Sequence, residues 1–93
     1  MKNELIYYID LWLKENKPTL KSIIVYDSFY YHGGDCLVVT SPNRWICTIW
    51  ENLIRIPLYE KNLPSYLKVS DCRLNTTDPE YFKKLNLLII YLL

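Results

Sequence analysis

The only histidine of the chain, His32, lies four residues before Cys36, with Asp35 between them. A histidine beside a cysteine can generate the thiolate nucleophile, and an aspartate can orient the imidazole. The glycines at 33–34 separate His32 from Asp35 and suit a tight hairpin turn. That hairpin would pair His32 with Asp35 and place His32 and Cys36 on opposite faces. We therefore interpret the stretch as a structural hairpin tip, with a small Cys/His enzyme as an alternative.

The same residue types also bind metals, but their spacing does not favour a metal site. Zinc sites usually pair ligands two to four residues apart in each of two clusters. This chain has one histidine and three cysteines, and no two cysteines form a C-x-x-C pair. The two glycines of the whole chain also exclude a glycine-rich phosphate loop. We expect no metal, no cofactor and no enzymatic activity, with the cysteines as small core residues in the reducing cytoplasm.

Length and composition predict a single soluble domain over residues 1–93. Hydrophobic residues make up 51% of the chain and charged residues 23%, which is typical of a folded globular domain. The N-terminus lacks the uninterrupted apolar segment of a signal peptide, and the C-terminal run LNLLIIYLL is too short to span a membrane. The net charge is +1 and the basic residues are scattered, so we expect neither a nucleic acid nor a membrane as partner.

The first segment is predicted to be a helix that begins after Asn3 and ends before Pro18. Its charged residues, including Asp10, fall mainly on the side away from the apolar stripe. The apolar residues recur at helical spacing: Leu5, Ile6, Ile9, Trp12 and Leu13.

Two runs rich in β-branched and aromatic residues, at 22–32 and 35–41, predict strands joined by the glycine pair. In this register Tyr31 lies opposite Cys36 and Phe29 lies opposite Val38. Leu37 then belongs to the other face of the sheet, together with Val39 and Tyr30.

A second hairpin is predicted from RWICTIW and LIRIPLY, joined at Glu51-Asn52. Thr48 then lies opposite Arg55, and Pro57 indicates an edge strand or a bulge because proline cannot donate to the ladder. Ile46 and Arg44 fall on the opposite face, with Thr48 and Trp50. Six apolar residues share one face and predict the core: Trp45, Cys47, Ile49, Ile54, Ile56 and Leu58.

The remaining chain predicts a short fifth strand or a helical turn at 66–69, followed by a second helix. Asp78 suits the N-cap of this helix and Pro79 its first position. Its apolar stripe consists of Phe82, Leu85, Leu88, Ile89 and Leu92.

The predicted fold class is α+β: an N-terminal helix, an antiparallel meander of four or five strands, and a C-terminal helix. Both helices cover one sheet face in a two-layer sandwich. The other face then carries aromatic residues and arginines, the composition of an interface centre. The alternative is that Trp50 and Tyr59 shield the sheet or pack under residues 61–76. The candidate partner-binding residues on it are Tyr30, Arg44, Thr48, Trp50, Arg55 and Tyr59, and the hairpin tip adds His32 and Asp35.

The segments DLWLKENK, RWICTIWENLIRIPLYE and DPEYFKKLNLLIIYLL resemble, in their order and type, small bacterial immunity proteins, particularly the TriTu-type group. The resemblance implies a single-domain α+β protein that neutralises a polymorphic toxin carried by the same locus. It defines no motif for the toxin-contacting residues.

The sequence and the resemblance together predict a cytoplasmic, non-enzymatic immunity protein that binds a toxin domain. One alternative is a phage-encoded inhibitor of a bacterial defence complex, and a nucleic-acid binder ranks lower. Self-association through an edge strand is a further option. If Trp50 and Arg55 belong to an exposed interface, Trp50→Ala or Arg55→Glu should weaken binding with little change in melting temperature.

Overall fold

The computed structural model describes residues 4–26, 34–57 and 69–93, and this part of the chain contains two helices and five strands. Their order confirms the predicted α+β fold. The elements are α1 (Glu4–Asn16), β1 (Lys21–Val25), β2 (Cys36–Thr40), β3 (Trp45–Ile49), β4 (Ile54–Pro57), β5 (Val69–Cys72) and α2 (Tyr81–Leu92).

The strands form one antiparallel sheet in the order β1-β2-β3-β4-β5, which is the predicted meander with five strands. The fifth strand begins at Val69. The sequence left open whether residues 66–69 form a strand or a helical turn, and residues 66–68 lie outside the described part. The expectation of an edge position for β4 is wrong, because β4 pairs with both β3 and β5. The pairs between β3 and β4 end at Arg55, two residues before Pro57, so Pro57 needs no N–H for a hydrogen bond to β3.

Both helices pack on one face of the sheet, as predicted for a two-layer sandwich. The shared core consists of Ile6, Ile9 and Leu13 of α1, Tyr81, Leu85, Ile89 and Leu92 of α2, and Leu37, Val39, Ile46, Cys47, Ile49, Ile54 and Ile56 of the sheet. Burying this many branched side chains stabilises a small fold by about 1.5–3 kcal/mol per side chain before chain entropy is counted.

The predicted hairpin at the glycine pair is wrong in its register. Val25, and not Tyr31, lies opposite Cys36, and Ile24 lies opposite Leu37. Ten residues, 26–35, therefore separate β1 from β2, and the residues at 27–33 lie outside the described part. The observed partner of Cys36 lies six residues before the predicted one, and because six is an even number each β2 side chain keeps the same face in both registers.

A bulge between β2 and β3 reverses the predicted faces at the start of β3. Val39 lies opposite Cys47, but the next residue, Thr40, lies opposite Trp45, so Ile46 is the extra residue. Ile46 is consequently fully buried in the helix-side core. The predictions that Ile46 faces away from the helices and that Trp45 faces them are both wrong.

The second helix begins two residues later than predicted. Its first residue is Tyr81, and Asp78 caps the preceding turn by accepting a hydrogen bond from the Glu80 backbone N–H at 2.9 Å. Asp78 also binds the Lys84 ammonium at 2.6 Å, and this hydrogen bond holds the pKa of the carboxyl below its usual value. The aspartate therefore stabilises the helix start from just outside the helix.

Asp10 was expected on the solvent side of α1 but is only 6% exposed. Its carboxylate accepts a hydrogen bond from the Ser22 hydroxyl at 2.5 Å and from the Lys14 ammonium at 2.6 Å. The pattern of apolar residues could not reveal this, because the partner on β1 is brought close only by the packing of α1 on the sheet edge.

Candidate protein-binding surface

The sheet face opposite the helices carries a continuous row of five side chains, one from each strand. Consecutive cross-strand pairs place them side by side: Ile23 beside Val38, Val38 beside Thr48, Thr48 beside Arg55, and Arg55 beside Asp71. Residues paired in this way project from the same face. We call this set of five residues the cross-sheet row.

The two ends of the cross-sheet row differ in chemistry. Ile23 is 50% exposed at the β1 end, and Val38 is half-buried beside it. At the β5 end, the Arg55 Nε donates to Asp71 Oδ1 at 3.1 Å, and both side chains remain partly open to solvent. The row therefore runs from an apolar end to an ion pair whose charges balance.

A small cavity of about 230 Å³ opens in the middle of this face, between Val38, Thr48, Trp50 and Arg55. The Thr48 hydroxyl in its wall accepts a 2.9 Å hydrogen bond from the indole Nε1 of Trp45. The volume is below the range of typical small-molecule sites. Its apolar walls and its guanidinium suit one inserted side chain of a partner protein.

Of the predicted binding residues, Thr48, Trp50 and Arg55 lie together at this cavity. Thr48 and Trp50 are only 8% and 6% exposed, so they form its walls and floor and offer little free surface. Trp50 packs with Cys36 and Leu53 in a second, smaller cluster on this face. We therefore now expect truncation of Trp50 to lower stability.

Arg44 lies elsewhere, contrary to its predicted place on the open face. Its Nη2 donates to the carbonyl oxygen of Leu92 at 2.6 Å, so the side chain reaches the end of α2 in the helix layer. The cause is the bulge, which turns Ile46 to the helix side and Arg44 with it. The prediction that Leu37 and Val39 belong to the open face is also wrong, since both lie in the helix-side core.

Asp35 was expected at an exposed tip, but it is 8% exposed and directly precedes β2. It is therefore a poor candidate for partner contact. Tyr30, His32 and Tyr59 lie outside the described residues, so their predicted roles stay predictions.

The sequence did not single out Ile23, Val38, Trp45 or Asp71. Val38 was assigned to the face of Cys36, and that assignment is correct. The error was to place Leu37 and Val39 on the face opposite Cys47 and Ile49, although they lie directly beside these two residues. Had the bulge been recognised, Trp45 would have moved to the open face. No local signal marks this bulge, since it serves to bury Ile46 under the helices.

Three of the described side chains that could act as nucleophiles, Cys36, Cys47 and Tyr81, are buried. Cys36 and Cys47 are fully buried, and burial raises the pKa of the Cys47 thiol to about 12. Burial also raises the pKa of Tyr81, whose hydroxyl has no hydrogen-bond partner within the described ranges. Neither group ionises near neutral pH, so neither is an activated nucleophile.

A search for clusters of three or more potential metal ligands found none among residues 4–26, 34–57 and 69–93. Neither of the helices described above is long and apolar enough to cross a membrane.

Comparisons with protein-family models, with curated proteins and with solved structures returned no match.

Proposed function

We propose that this protein is a non-enzymatic immunity protein that binds a toxin domain in the cytoplasm and blocks it through the cross-sheet row. The observation that carries the proposal is a row of side chains across all five strands, exposed at Ile23 and partly exposed at Arg55 and Asp71, beside a cavity sized for one side chain. A rigid sheet keeps both in place without ordering a loop on binding, which lowers the entropic cost of association.

The chemistry of the row indicates what the partner surface should present. Ile23 and Val38 suit an apolar patch, and the Arg55 guanidinium at the cavity suits a carboxylate or carbonyl oxygen. Arginine is common at the energetic centre of protein interfaces, because it combines an apolar stem with a directional charge.

The charge of the row also limits the kind of partner. Arg55 and Asp71 balance one another, and the whole chain carries a net charge of +1. A face of this kind does not imitate a phosphate backbone, as an inhibitor of a nucleic-acid-binding cleft would. We therefore propose a toxin surface of mixed polarity as the target.

The test is co-expression with the toxin gene next to this gene, followed by binding of the purified toxin domain. We expect the chain to restore growth and Arg55→Ala to weaken binding by about tenfold or more, as for a central interface arginine. Glu15→Ala is the matched control, because Glu15 is exposed on α1 in the other layer. A toxin that kills equally with or without the chain would contradict the proposal.

A further inference from the structure

A groove on the helix layer lies far from the cross-sheet row. The two helices meet through Trp12 and Phe82, whose ring centroids are 5.4 Å apart at an interplanar angle of 35°. Beside these rings an open depression of about 440 Å³ is lined by Trp12, Asn16, Lys17, Phe82, Lys83 and Asn86. We call it the interhelical groove.

The groove has an uncompensated positive charge. Its lining includes Lys17 and Lys83 but no aspartate or glutamate. Elsewhere on the helices, Lys14 and Lys84 each bind an aspartate at 2.6 Å. Neither Lys17 nor Lys83 forms such a pair with any residue of the described part of the chain. An anionic group would therefore find two cations that are not already neutralised.

The polar rim matches a peptide backbone. Asn16 uses its amide nitrogen to bind the carbonyl oxygen of Trp12 at 2.9 Å, which leaves its amide oxygen as an acceptor at the rim. The Asn86 amide makes no hydrogen bond within the described ranges and can both donate and accept.

The floor of the groove is apolar and continues along each helix. Trp12 and Phe82 are partly buried and pack against the main core. One turn away on the same side of its helix, Tyr8 is 62% exposed, and Ile90, one turn after Asn86, is 54% exposed. An apolar side chain of a partner therefore has a surface on which to pack beside the two lysines.

From these contacts we propose that the interhelical groove binds an acidic segment of a partner protein that also carries an aromatic or aliphatic side chain. Carboxylates of the segment pair with Lys17 and Lys83, and its apolar side chain packs on Trp12 and Phe82. A nucleotide fits less well, because the two rings pack on one another and leave no slot for a base between them. The proposal is independent of which protein occupies the cross-sheet row.

The experiment measures binding of a fluorescent peptide of alternating glutamate and phenylalanine, about ten residues long, by anisotropy at low salt. We expect binding to the wild-type chain and at least a tenfold loss in the double variant Lys17→Glu/Lys83→Glu. Both substitutions lie outside the core, and circular dichroism checks that the fold is retained. The matched control Lys21→Glu reverses an exposed lysine of β1 outside the groove and should bind the peptide as the wild type does.

A second peptide with glutamine in place of glutamate separates charge from packing. We expect it to bind at least tenfold more weakly, and we expect the affinity of the acidic peptide to fall with added salt. Equal binding of both peptides, or unchanged binding to the double variant, would overturn the proposal. So would full displacement of the acidic peptide by millimolar inorganic phosphate or a nucleotide, which would make the groove a phosphate site.

Discussion

The Nη2 atom of Arg44 and the carbonyl oxygen of Leu92 are 2.6 Å apart and join the residue before β3 to the last residue of α2. The last carbonyls of a helix have no partner within the helix and carry its negative dipole end. A guanidinium at this position satisfies one carbonyl and offsets part of that dipole. Arg44 therefore holds the end of α2 on the sheet.

Replacing Arg44 by methionine should destabilise the protein by about 1–2 kcal/mol, since a charge-assisted hydrogen bond at a partly buried site is lost. Urea unfolding followed by circular dichroism measures the change. Arg44→Lys keeps the charge and should retain part of the stability. Unchanged stability together with impaired partner binding would instead support the predicted interface role of this residue.

Asp10→Ala should destabilise the fold by about 2–3 kcal/mol, because it leaves the Ser22 hydroxyl without its acceptor and frees Lys14. Ser22→Ala should destabilise the fold less than Asp10→Ala does, since Asp10 keeps its contact with Lys14. Chemical denaturation of both variants gives the two values. As a control, truncation of the exposed Glu15 should change stability by at most about 0.5 kcal/mol. If Asp10→Ala destabilised the protein no more than the Glu15 variant does, the contacts of Asp10 with Ser22 and Lys14 would have no role in stability.

Trp50→Ala should lower stability by about 3–4 kcal/mol, because the indole fills the smaller cluster with Cys36 and Leu53. This replaces the expectation, drawn from sequence, of a nearly unchanged melting temperature. Ile23→Ser removes an exposed side chain of the same face and should change the melting temperature little. Similar melting temperatures for Trp50→Ala and Ile23→Ser would show that Trp50 is not part of a packed cluster.

Alkaline pH should destabilise the fold partly through Cys47. Its pKa is about 12 when folded, against an ordinary value of 9.0, because burial disfavours the thiolate. The stability linked to this thiol is complete below pH 9 and is lost as pH rises towards 12, since the unfolded chain releases the proton first. Tyr26, whose pKa is raised to about 12 by its hydrogen bond with Tyr7, acts in the same direction.

The measurement is the free energy of unfolding from pH 8 to 11 for the wild type and Cys47→Ala. The variant should be less stable at pH 8 because of the smaller side chain, but its stability should fall less steeply with pH. A thiol reagent at pH 8 should modify Cys72, which is partly exposed, before Cys36 or Cys47. Parallel pH curves, or early labelling of Cys47, would contradict the burial argument.

The hairpin of β3 and β4 was predictable because its information is local. The loop at Glu51-Asn52 and the alternation around it place Thr48 opposite Arg55 and Ile49 opposite Ile54, and both pairs are observed. The first hairpin failed because Gly33-Gly34 offered a turn that local chemistry favours. The observed register pairs Val25 with Cys36, six residues from the predicted partner, and alternation alone cannot choose between the two because an even shift leaves every side chain on the same face.

The candidate protein-binding surface was likewise predictable only where local alternation determines it. Sequence patterning brought Thr48, Trp50 and Arg55 to one face, and the structure places them around one cavity. The places of Arg44, Trp45 and Ile46 depend on a single extra residue in β3. Side chains alternate along a strand, so one added residue exchanges the faces of everything before it.

By itself, the sequence determined the element types, their order and the α+β class, because periodicity and β-propensity act over a few neighbouring residues. Tertiary structure decided the register of β1 against β2, the bulge before Cys47 and the burial of Asp10. It also brought Lys17 and Lys83 to one groove, although 66 positions separate them in the chain. These features depend on how the helices and the sheet fit together, and such packing between distant segments leaves no periodic trace in the chain.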